Sequence, residues 1–221
     1  MQKIVILGVG GNCIDILDTI RDINDDIGRP HFECVGFLDD KPSSHGMLFG
    51  DVKCLGPLNQ AGELGDCLFV NGIGSTANFW HKRRIIESTG VTDDRFATII
   101  HPTASISRMA TLGPGTVVFQ HATVTTNVTV GRHVIILPQA VISHDVTVGD
   151  YTCITGGVCI SGGATIEQSC YLGSNCTIGN NLTIGEYSLI GMGSTVVKDV
   201  PRNCVMVGTP AGFLRRTNEN L

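Results

Sequence analysis

A six-residue repeat through residues 100–201 is the feature that most constrains the fold of this 221-residue chain. Every sixth residue from Ile100 to Val196 is isoleucine, valine or leucine, and the register never slips. A second series, every sixth residue from Ala104 to Val200, consists mostly of small side chains. A strict short period indicates stacked repeats. An even period with inward-pointing apolar side chains fits short strands separated by tight turns.

Three such strands, one from each of three consecutive repeats, would make one triangular coil, so the repeat would fill about five to six coils. The aliphatic side chains would fill the corners of the prism, and the glycine that often follows them would permit the turn. Each coil would hydrogen-bond to the next and bury a continuous core. A β-sandwich or a right-handed β-helix keeps no six-residue register over this length, so we predict a stacked β-helix.

The first 99 residues lack the repeat and alternate between strand and helix patterns. We predict strands at 3–8, 32–38 and 67–73, and helices at 12–27 and 77–88. This alternation indicates a small α/β domain with a short parallel sheet. We therefore divide the chain into an α/β domain, 1–97, and a β-helix domain with a C-terminal tail, 98–221.

A glycine-rich segment, GVGGNC at 8–13, follows the first strand and opens the first helix. Such a loop cradles phosphate through bare N–H groups and the helix dipole. The full dinucleotide fingerprint has glycine where this chain has Cys13, so one nucleotide is favoured over a hydride carrier. Asp39 and Asp40 end the second strand, where an acidic residue would meet ribose hydroxyls or a base. A tight turn without a ligand and a solvated acidic turn are the alternatives.

Composition narrows the functional classes. A net charge of −5 without a Lys/Arg run argues against nucleic-acid binding. No apolar stretch is long enough to cross a bilayer, and the start of the chain resembles a strand rather than a signal peptide, so no membrane span is expected. The nine cysteines form no CxxC pair, which favours reduced thiols in a cytoplasmic protein without a bound metal.

From end to end the chain resembles the hexapeptide-repeat family of bacterial nucleotide-sugar acetyltransferases. This sialic-acid O-acetyltransferase-like group includes the bacillosamine-pathway and perosamine N-acetyltransferases. The resemblance is carried by GVGGN near residue 8, GFLDD near 36, GIG at 72–74, IIHPTA at 99–104, AVISHDVTVGD at 140–150 and VGTPA at 207–211. It implies a left-handed β-helix, a homotrimer, and an acetyl-CoA-dependent N-acetyltransferase. The expected acceptor is the amino group of a nucleotide-linked amino-deoxy sugar for bacterial surface glycan synthesis.

The resemblance also implies the site residues. His144 would be the general base and Asp145 its partner, because an imidazole with an ordinary pKa of about 6.5 is matched to taking a proton from an amine that attacks a thioester. A coil of three repeats stacks His144 against Gly162, which leaves room for a pantetheine arm. The substrate would touch Gly10, Gly11, Asn12, Asp39, Asp40 and Gly74. Acetyl-CoA would touch Cys153, Gly162, Ser174 and Met192, with Cys153 standing where many relatives have histidine.

Three other functions remain open at this stage. O-acetylation of sialic acid or another sugar hydroxyl would use the same histidine. A β-helix carbonic anhydrase would need three histidines that converge on zinc, and the repeat has no close histidine pair. A structural β-helix would need neither the glycine loop nor the His–Asp pair. We expect surface or interface positions for His101, His121 and His133.

Overall fold

The computed structural model describes residues 1–217, and its first part is an α/β layer built around a five-stranded sheet. The sheet order is β3-β4-β2-β1-β5, with every neighbouring pair parallel except β3 with β4. The elements are β1 (Gln2–Leu7), α1 (Gly11–Ile27), β2 (Phe32–Leu38), β3 (Leu48–Phe49), β4 (Val52–Gly56), β5 (Cys67–Asn71) and α2 (Lys82–Glu87). The predicted strands and first helix are confirmed. The predicted second helix is shorter, because a 3-10 turn at Phe79–His81 precedes α2.

In the second part, as far as residue 217, seventeen two-residue strands follow one another as the repeat predicts, and two longer strands come after them. The short strands are β6 (Ile99–Ile100), β7 (Ser105–Ile106), β8 (Thr111–Leu112), β9 (Val117–Val118), β10 (Thr123–Val124), β11 (Thr129–Val130), β12 (Ile135–Ile136), β13 (Val141–Ile142), β14 (Thr147–Val148), β15 (Cys153–Ile154), β16 (Cys159–Ile160), β17 (Thr165–Ile166), β18 (Tyr171–Leu172), β19 (Thr177–Ile178), β20 (Thr183–Ile184), β21 (Leu189–Ile190) and β22 (Thr195–Val196). The last two are β23 (Cys204–Val207) and β24 (Gly212–Arg216), which pair antiparallel.

These strands form the three faces of a prism, and the chain visits the faces in turn. The first face contains β6, β9, β12, β15, β18 and β21, extended by β23 and β24. The second face contains β7, β10, β13, β16, β19 and β22, and the third contains β8, β11, β14, β17 and β20. Each short strand from β6 to β19 pairs in parallel with the strand three repeats later, as Ile135 does with Cys153. The predicted architecture, an α/β part followed by a left-handed β-helix, is confirmed.

The prism interior is filled by the two residue series of the repeat. The second residue of each short strand points inward, and from Val118 to Val196 these side chains are buried. They pack with the small series that includes Ala122, Ala140 and Ala164 into one continuous cluster. This continuous apolar column is the main source of stability for a fold whose strands are too short to stand alone.

The glycines after the aliphatic residues have a different role from the one predicted. Gly131 and Gly149 do not adopt the left-handed conformation. They are required because coils approach closely: a Cβ on Gly149 would lie 2.5 Å from the backbone nitrogen of Gln168. The left-handed turn positions are occupied mostly by other residue types, such as Asn127 and Asp145. Asparagine and aspartate tolerate that conformation better than most side chains.

The α/β part packs on the first face, and the two parts share a core. Ile99, Val117 and Ile135 on that face are buried in one cluster with Ile16 and Ile20 of α1. The side chains of Ile99, Val117 and Ile135 point outward from the prism, so the outer surface of the first face is apolar. The corresponding outward residues of the third face are threonines. The division at residues 97 and 98 stays a prediction. Between residues 1 and 217, no helix has both the length and the apolar character needed to cross a membrane.

Candidate active site

A cavity of about 510 Å³ lies between the glycine-rich loop and the first face. It is lined by backbone and side chains of both parts of the molecule: Gly8, Val9, Gly10, Gly11, Asn12, Cys13, Asp39, Gly72, Ile73, Gly74, Ser75, Thr76, Asn78, Ile135, Leu137, Cys153, Thr155 and Tyr171. Five of the six predicted substrate residues are brought together here, and so is Cys153. This convergence makes the cavity the candidate binding site.

The glycine-rich loop presents the N-terminus of α1 to the cavity. Gly10 is the N-cap, no side chain caps the helix, and no acidic residue occupies its first turn. The N–H groups of Gly11 and Asn12 have no acceptor among residues 1–217. Gly8 adopts a left-handed φ of +97°, and a Cβ there would lie 2.9 Å from Sγ of Cys13, so only glycine fits. Free N–H groups at a helix start favour an anion.

The two aspartates after β2 differ in position. Asp39 lines the cavity, and its Oδ1 accepts a hydrogen bond from the backbone N–H of Lys41 at 2.8 Å. Asp40 does not line the cavity; its Oδ1 accepts from the N–H of Leu58 at 2.9 Å. The structure thus gives Asp40 a role in holding the segment that follows β4, and its contact with substrate stays a prediction.

His144 and Asp145 form a side-chain pair on the turn between the second and third faces. Nδ1 of His144 lies 2.8 Å from Oδ2 of Asp145, and Nδ2 of Asn127 donates to the other carboxylate oxygen at 3.1 Å. The hydrogen bond from His144, followed by that from Asn127, holds the pKa of Asp145 below its usual range. Both members of the pair are exposed. A carboxylate on Nδ1 leaves Nε2 as the nitrogen that can accept a proton.

The ring of His144 rests on Gly162 of the next coil, as the three-repeat register predicts. A Cβ on Gly162 would lie 2.5 Å from Cε1 and 2.7 Å from Nε2 of His144. No side chain other than hydrogen fits there without moving the ring. Backbone bonds from the Asp145 N–H to Thr126 and from the Gly163 N–H to His144 fix the turn on both sides.

Within one chain, the His–Asp pair and the cavity occupy different parts of the prism. The cavity is on the first face and extends to the turn that leads to the second face, where it is lined by Leu137 and Thr155. Ser174 is on that same side, 3.2 Å from Thr155 between hydroxyl oxygens, and Met192 stands 81% exposed one coil later. His144 and Gly162 lie one turn further around. The predicted acetyl-CoA residues are therefore split between two edges of the prism.

The prediction of surface or interface positions was wrong for His101 and His133, which are both buried. His133 is fully buried, stacked on Tyr151 with ring centroids 5.3 Å apart, and its Nε2 lies 3.3 Å from Asp93. His101 is buried and pairs with Asp22 of α1 at 2.9 Å. Both are buried because the α/β part covers their side of the prism. His121 is exposed.

Sequence reasoning missed the residues that the first face and the loop after β5 contribute. Thr155 and Tyr171 line the cavity, and Lys82 is wholly buried behind its wall. A usable signal exists: the outward residue of the short strands is threonine in every member of the third face and apolar in the first. No group of three histidine, cysteine or acidic side chains within 1–217 is arranged to hold a metal ion. All nine cysteines are free thiols.

The repeat and the fold are shared with known transferases. The family profile described as bacterial transferase hexapeptide (six repeats) matches residues 163–198. The UDP-N-acetylbacillosamine N-acetyltransferase of Bacillus subtilis (strain 168) is 30% identical over 122 residues, which cover 53% of this chain and 51% of the relative. The matched part of the chain thus spans about half the length of that curated relative.

Two solved structures superpose over nearly the whole chain. A mutant of perosamine N-acetyltransferase from Caulobacter crescentus, in complex with CoA and GDP-perosamine, has a TM-score of 0.83 at 23% identity and covers 97% of this chain and 98% of its own. The acetyltransferase domain of PglB from Neisseria gonorrhoeae FA1090, in complex with acetyl coenzyme A, has a TM-score of 0.81 at 23% identity and covers 96% and 99%. At this identity the likeness establishes the fold, and the predicted resemblance is confirmed.

Proposed function

We propose that this protein is an acetyl-CoA-dependent N-acetyltransferase that acts on the amino group of a nucleotide-linked amino-deoxy sugar. The observation that carries the proposal is the His144–Asp145 pair, whose Nδ1 and Oδ2 atoms lie 2.8 Å apart on a turn where the imidazole packs against Gly162. The cavity of the same molecule contains the N-terminus of α1, which no side chain caps. The pair supplies a base, and the cavity suits a phosphate-linked ligand. Similar proteins include one that binds CoA and GDP-perosamine and one named for UDP-N-acetylbacillosamine.

The chemistry follows from the pair's geometry. Asp145 accepts the Nδ1 proton of His144, so Nε2 carries the free lone pair. As the sugar amine attacks the thioester carbonyl, Nε2 takes the proton that the amine loses, and the carboxylate stabilises the imidazolium that forms. The C–S bond of the tetrahedral intermediate then breaks, and the imidazolium returns its proton to the leaving sulfur, so CoA departs as the thiol and His144 is neutral again. Backbone N–H groups along the coil edge are suited to hold the thioester oxyanion.

We further propose that the working unit is a homotrimer with each site between two chains. Within a single chain, His144 lies on a different edge of the prism from the cavity, and the predicted acetyl-CoA residues are distributed over two edges. A three-fold arrangement would place the edge with Ser174 and Met192 of one chain beside the His144 edge of its neighbour. CoA would then lie between two prisms, and each nucleotide sugar would meet a histidine from the adjoining chain.

The cellular setting completes the proposal. Nine reduced thiols fit a cytoplasmic enzyme, where acetyl-CoA and nucleotide sugars are available. The product of N-acetylation would serve bacterial surface glycan synthesis. The names of the similar proteins favour an amine acceptor over the hydroxyl of a sialic acid.

A thiol-release assay tests the proposal directly. Purified protein is given acetyl-CoA and a panel of UDP-, GDP- and dTDP-linked 4-amino-6-deoxy sugars, with free sialic acid as the hydroxyl acceptor. We expect CoA release with at least one amino sugar and none with its N-acetylated form. Release only with sialic acid would establish O-acetylation instead, and no release with any acceptor would overturn the proposal.

A further inference from the structure

Lys82 is a buried lysine behind the wall of the cavity. Its side chain is 0% exposed, and it is the one lysine or arginine that is buried within residues 1–217. Its Nζ donates to Sγ of Cys153 at 3.7 Å, across 71 residues of sequence, and has no other hydrogen-bond partner in that part of the chain. None of the ion pairs among those residues includes it.

A buried ammonium with one weak acceptor is costly, so its position calls for a reason. Burial lowers the pKa of Lys82, opposed only by Cys153. Buried charges in proteins are normally paired or bind a counter-ion. Cys153 and Gly74 lie between Lys82 and the cavity, and both line it. A Cβ on Gly74 would lie 2.5 Å from Sγ of Cys153 and 3.8 Å from Nζ of Lys82.

Gly74 and Cys153 therefore form a thin wall between the cation and the cavity. With hydrogen as its side chain, Gly74 lets a ligand approach without an intervening Cβ. The positive field of Lys82 reaches the cavity through low-dielectric surroundings, in which a charge acts over several ångströms. Of the charged side chains within residues 1–217, only that of Asp39, which is negative, lines the cavity. A phosphate group on a ligand would supply the counter-charge that Lys82 lacks among residues 1–217.

We propose that Lys82 is a positioning residue for a diphosphate group, which its field draws to the Gly74–Cys153 wall while the N–H groups at the start of α1 bind it from the other side. This inference rests on the proposed function and deepens it: of the substrate's parts, it assigns the diphosphate to this wall. The same chemistry occurs in a nucleoside diphosphate sugar and in coenzyme A. Lys82 touches neither; it acts through Cys153 and Gly74.

The test compares charged and uncharged probes in wild type and Lys82→Met by isothermal titration calorimetry. The probes are UDP, GDP, CoA, uridine and guanosine. We expect Lys82→Met to weaken binding of the diphosphate probe by about tenfold to a hundredfold and to change nucleoside binding less than about twofold. Lys82→Arg should recover much of the loss. Weakened UDP or GDP binding assigns the diphosphate to the nucleotide, and weakened CoA binding assigns it to CoA.

Phe79→Leu is the matched control, because Phe79 is buried nearby and packs on Tyr171 without charge. It should affect charged and uncharged probes equally. The thermal midpoint of Lys82→Met should match or exceed that of wild type, since an apolar side chain replaces an unpaired buried charge. Equal affinity of wild type and Lys82→Met for all diphosphate probes would overturn the inference alone. Wild type that binds none of these probes would overturn it together with the proposed function.

Discussion

The imidazole of His144 lies directly over Gly162, so that a Cβ on the glycine would come within 2.5 Å of Cε1. The contact joins consecutive coils and fixes the position of the ring on an otherwise open turn. His144 is 66% exposed, so the ring can move outward when it is pushed. The glycine thereby sets where the imidazole ring stands.

Gly162→Ala should therefore lower activity while leaving the fold intact. The new methyl group displaces the ring by about 1 Å, and a shift of that size in a reacting group reduces kcat by about a hundredfold. Steady-state kinetics and a thermal unfolding curve check the two parts of the prediction. Gly65→Ala is the control, because a Cβ there has nothing within 4 Å. Normal turnover in Gly162→Ala would show that His144 needs no fixed position.

The six-residue register was sufficient to predict this contact, because every third repeat returns the chain to the same face whatever the turns between strands do. It was insufficient for the cavity, which depends on where the α/β part docks. The sequence does contain a signal for the docking face, in the outward residues of the short strands. The outward residues Val117, Ile135 and Cys153 of the first face are buried. The outward residues of the third face are threonines that are exposed or half-buried. An apolar outward position in a β-helix predicts a covered face.

Two other features could not be predicted from spacing. Lys82 follows the loop after β5, and only the docking of that loop on the prism brings its Nζ to Cys153. His133 stands at a left-handed turn position like His121, which is exposed. The difference between them is the segment around Asp93 and Phe96, which packs over His133 alone. Local sequence does not encode such long-range cover.

Two replacements of Asp145 distinguish the role of its negative charge in catalysis from its role in the left-handed turn. Asp145 has a φ of +60°, the conformation that Asn127 adopts one coil earlier and Asn181 two coils later. Asp145→Asn should therefore fold normally and lose the charge that stabilises imidazolium, which lowers kcat by about tenfold to a hundredfold with little change in KM. Asp145→Ala should lose stability as well, because alanine is strained at positive φ. Equal kcat for wild type and Asp145→Asn would contradict the proposed partnership.

His133 should make the protein less stable in mild acid. Burial lowers the pKa of His133 from 6.5 to about 4, with the hydrogen bond to Asp93 opposing the shift. Between pH 6.5 and about 4, His133 is therefore protonated in the unfolded chain and neutral in the folded chain. The free energy of unfolding falls as pH falls through this window, because the unfolded state binds the additional proton. The loss is about 3 kcal/mol at most. Urea unfolding at pH 7.5, 6, 5 and 4.5 measures it.

His133→Phe isolates that contribution. Phenylalanine can keep the ring contacts with Tyr151 and Phe96 and has no proton to bind. Its free energy of unfolding should be flatter than that of wild type across the window, whatever its value at pH 7.5. Asp93, whose pKa lies below its ordinary value of 3.8, would add its own acid loss only at lower pH, so the two effects separate. Parallel curves for the two proteins would exclude His133 as the source.

Subunit mixing tests whether each site draws on two chains. His144→Ala removes the base and leaves the cavity whole. Gly10→Phe fills the cavity and leaves the base, because Gly10 is a helix N-cap whose Cβ would meet nothing within 4 Å. Each variant alone should be inactive. In co-expressed trimers, about a quarter of the sites would combine an intact cavity with an intact neighbouring His144, so about a quarter of wild-type activity should return.

The outcome depends on which chain supplies the base. If the cavity and His144 of the same chain acted together, every site in a mixed trimer would carry one of the two changes, and no activity would return. Light scattering on each variant and on the mixture establishes that all are trimers, so that inactivity cannot be attributed to lost assembly. Separately purified homotrimers, mixed without exchange of subunits, are the control and should stay inactive. Recovery in the co-expressed sample alone would require a site shared between the first face of one chain and the His144 turn of its neighbour.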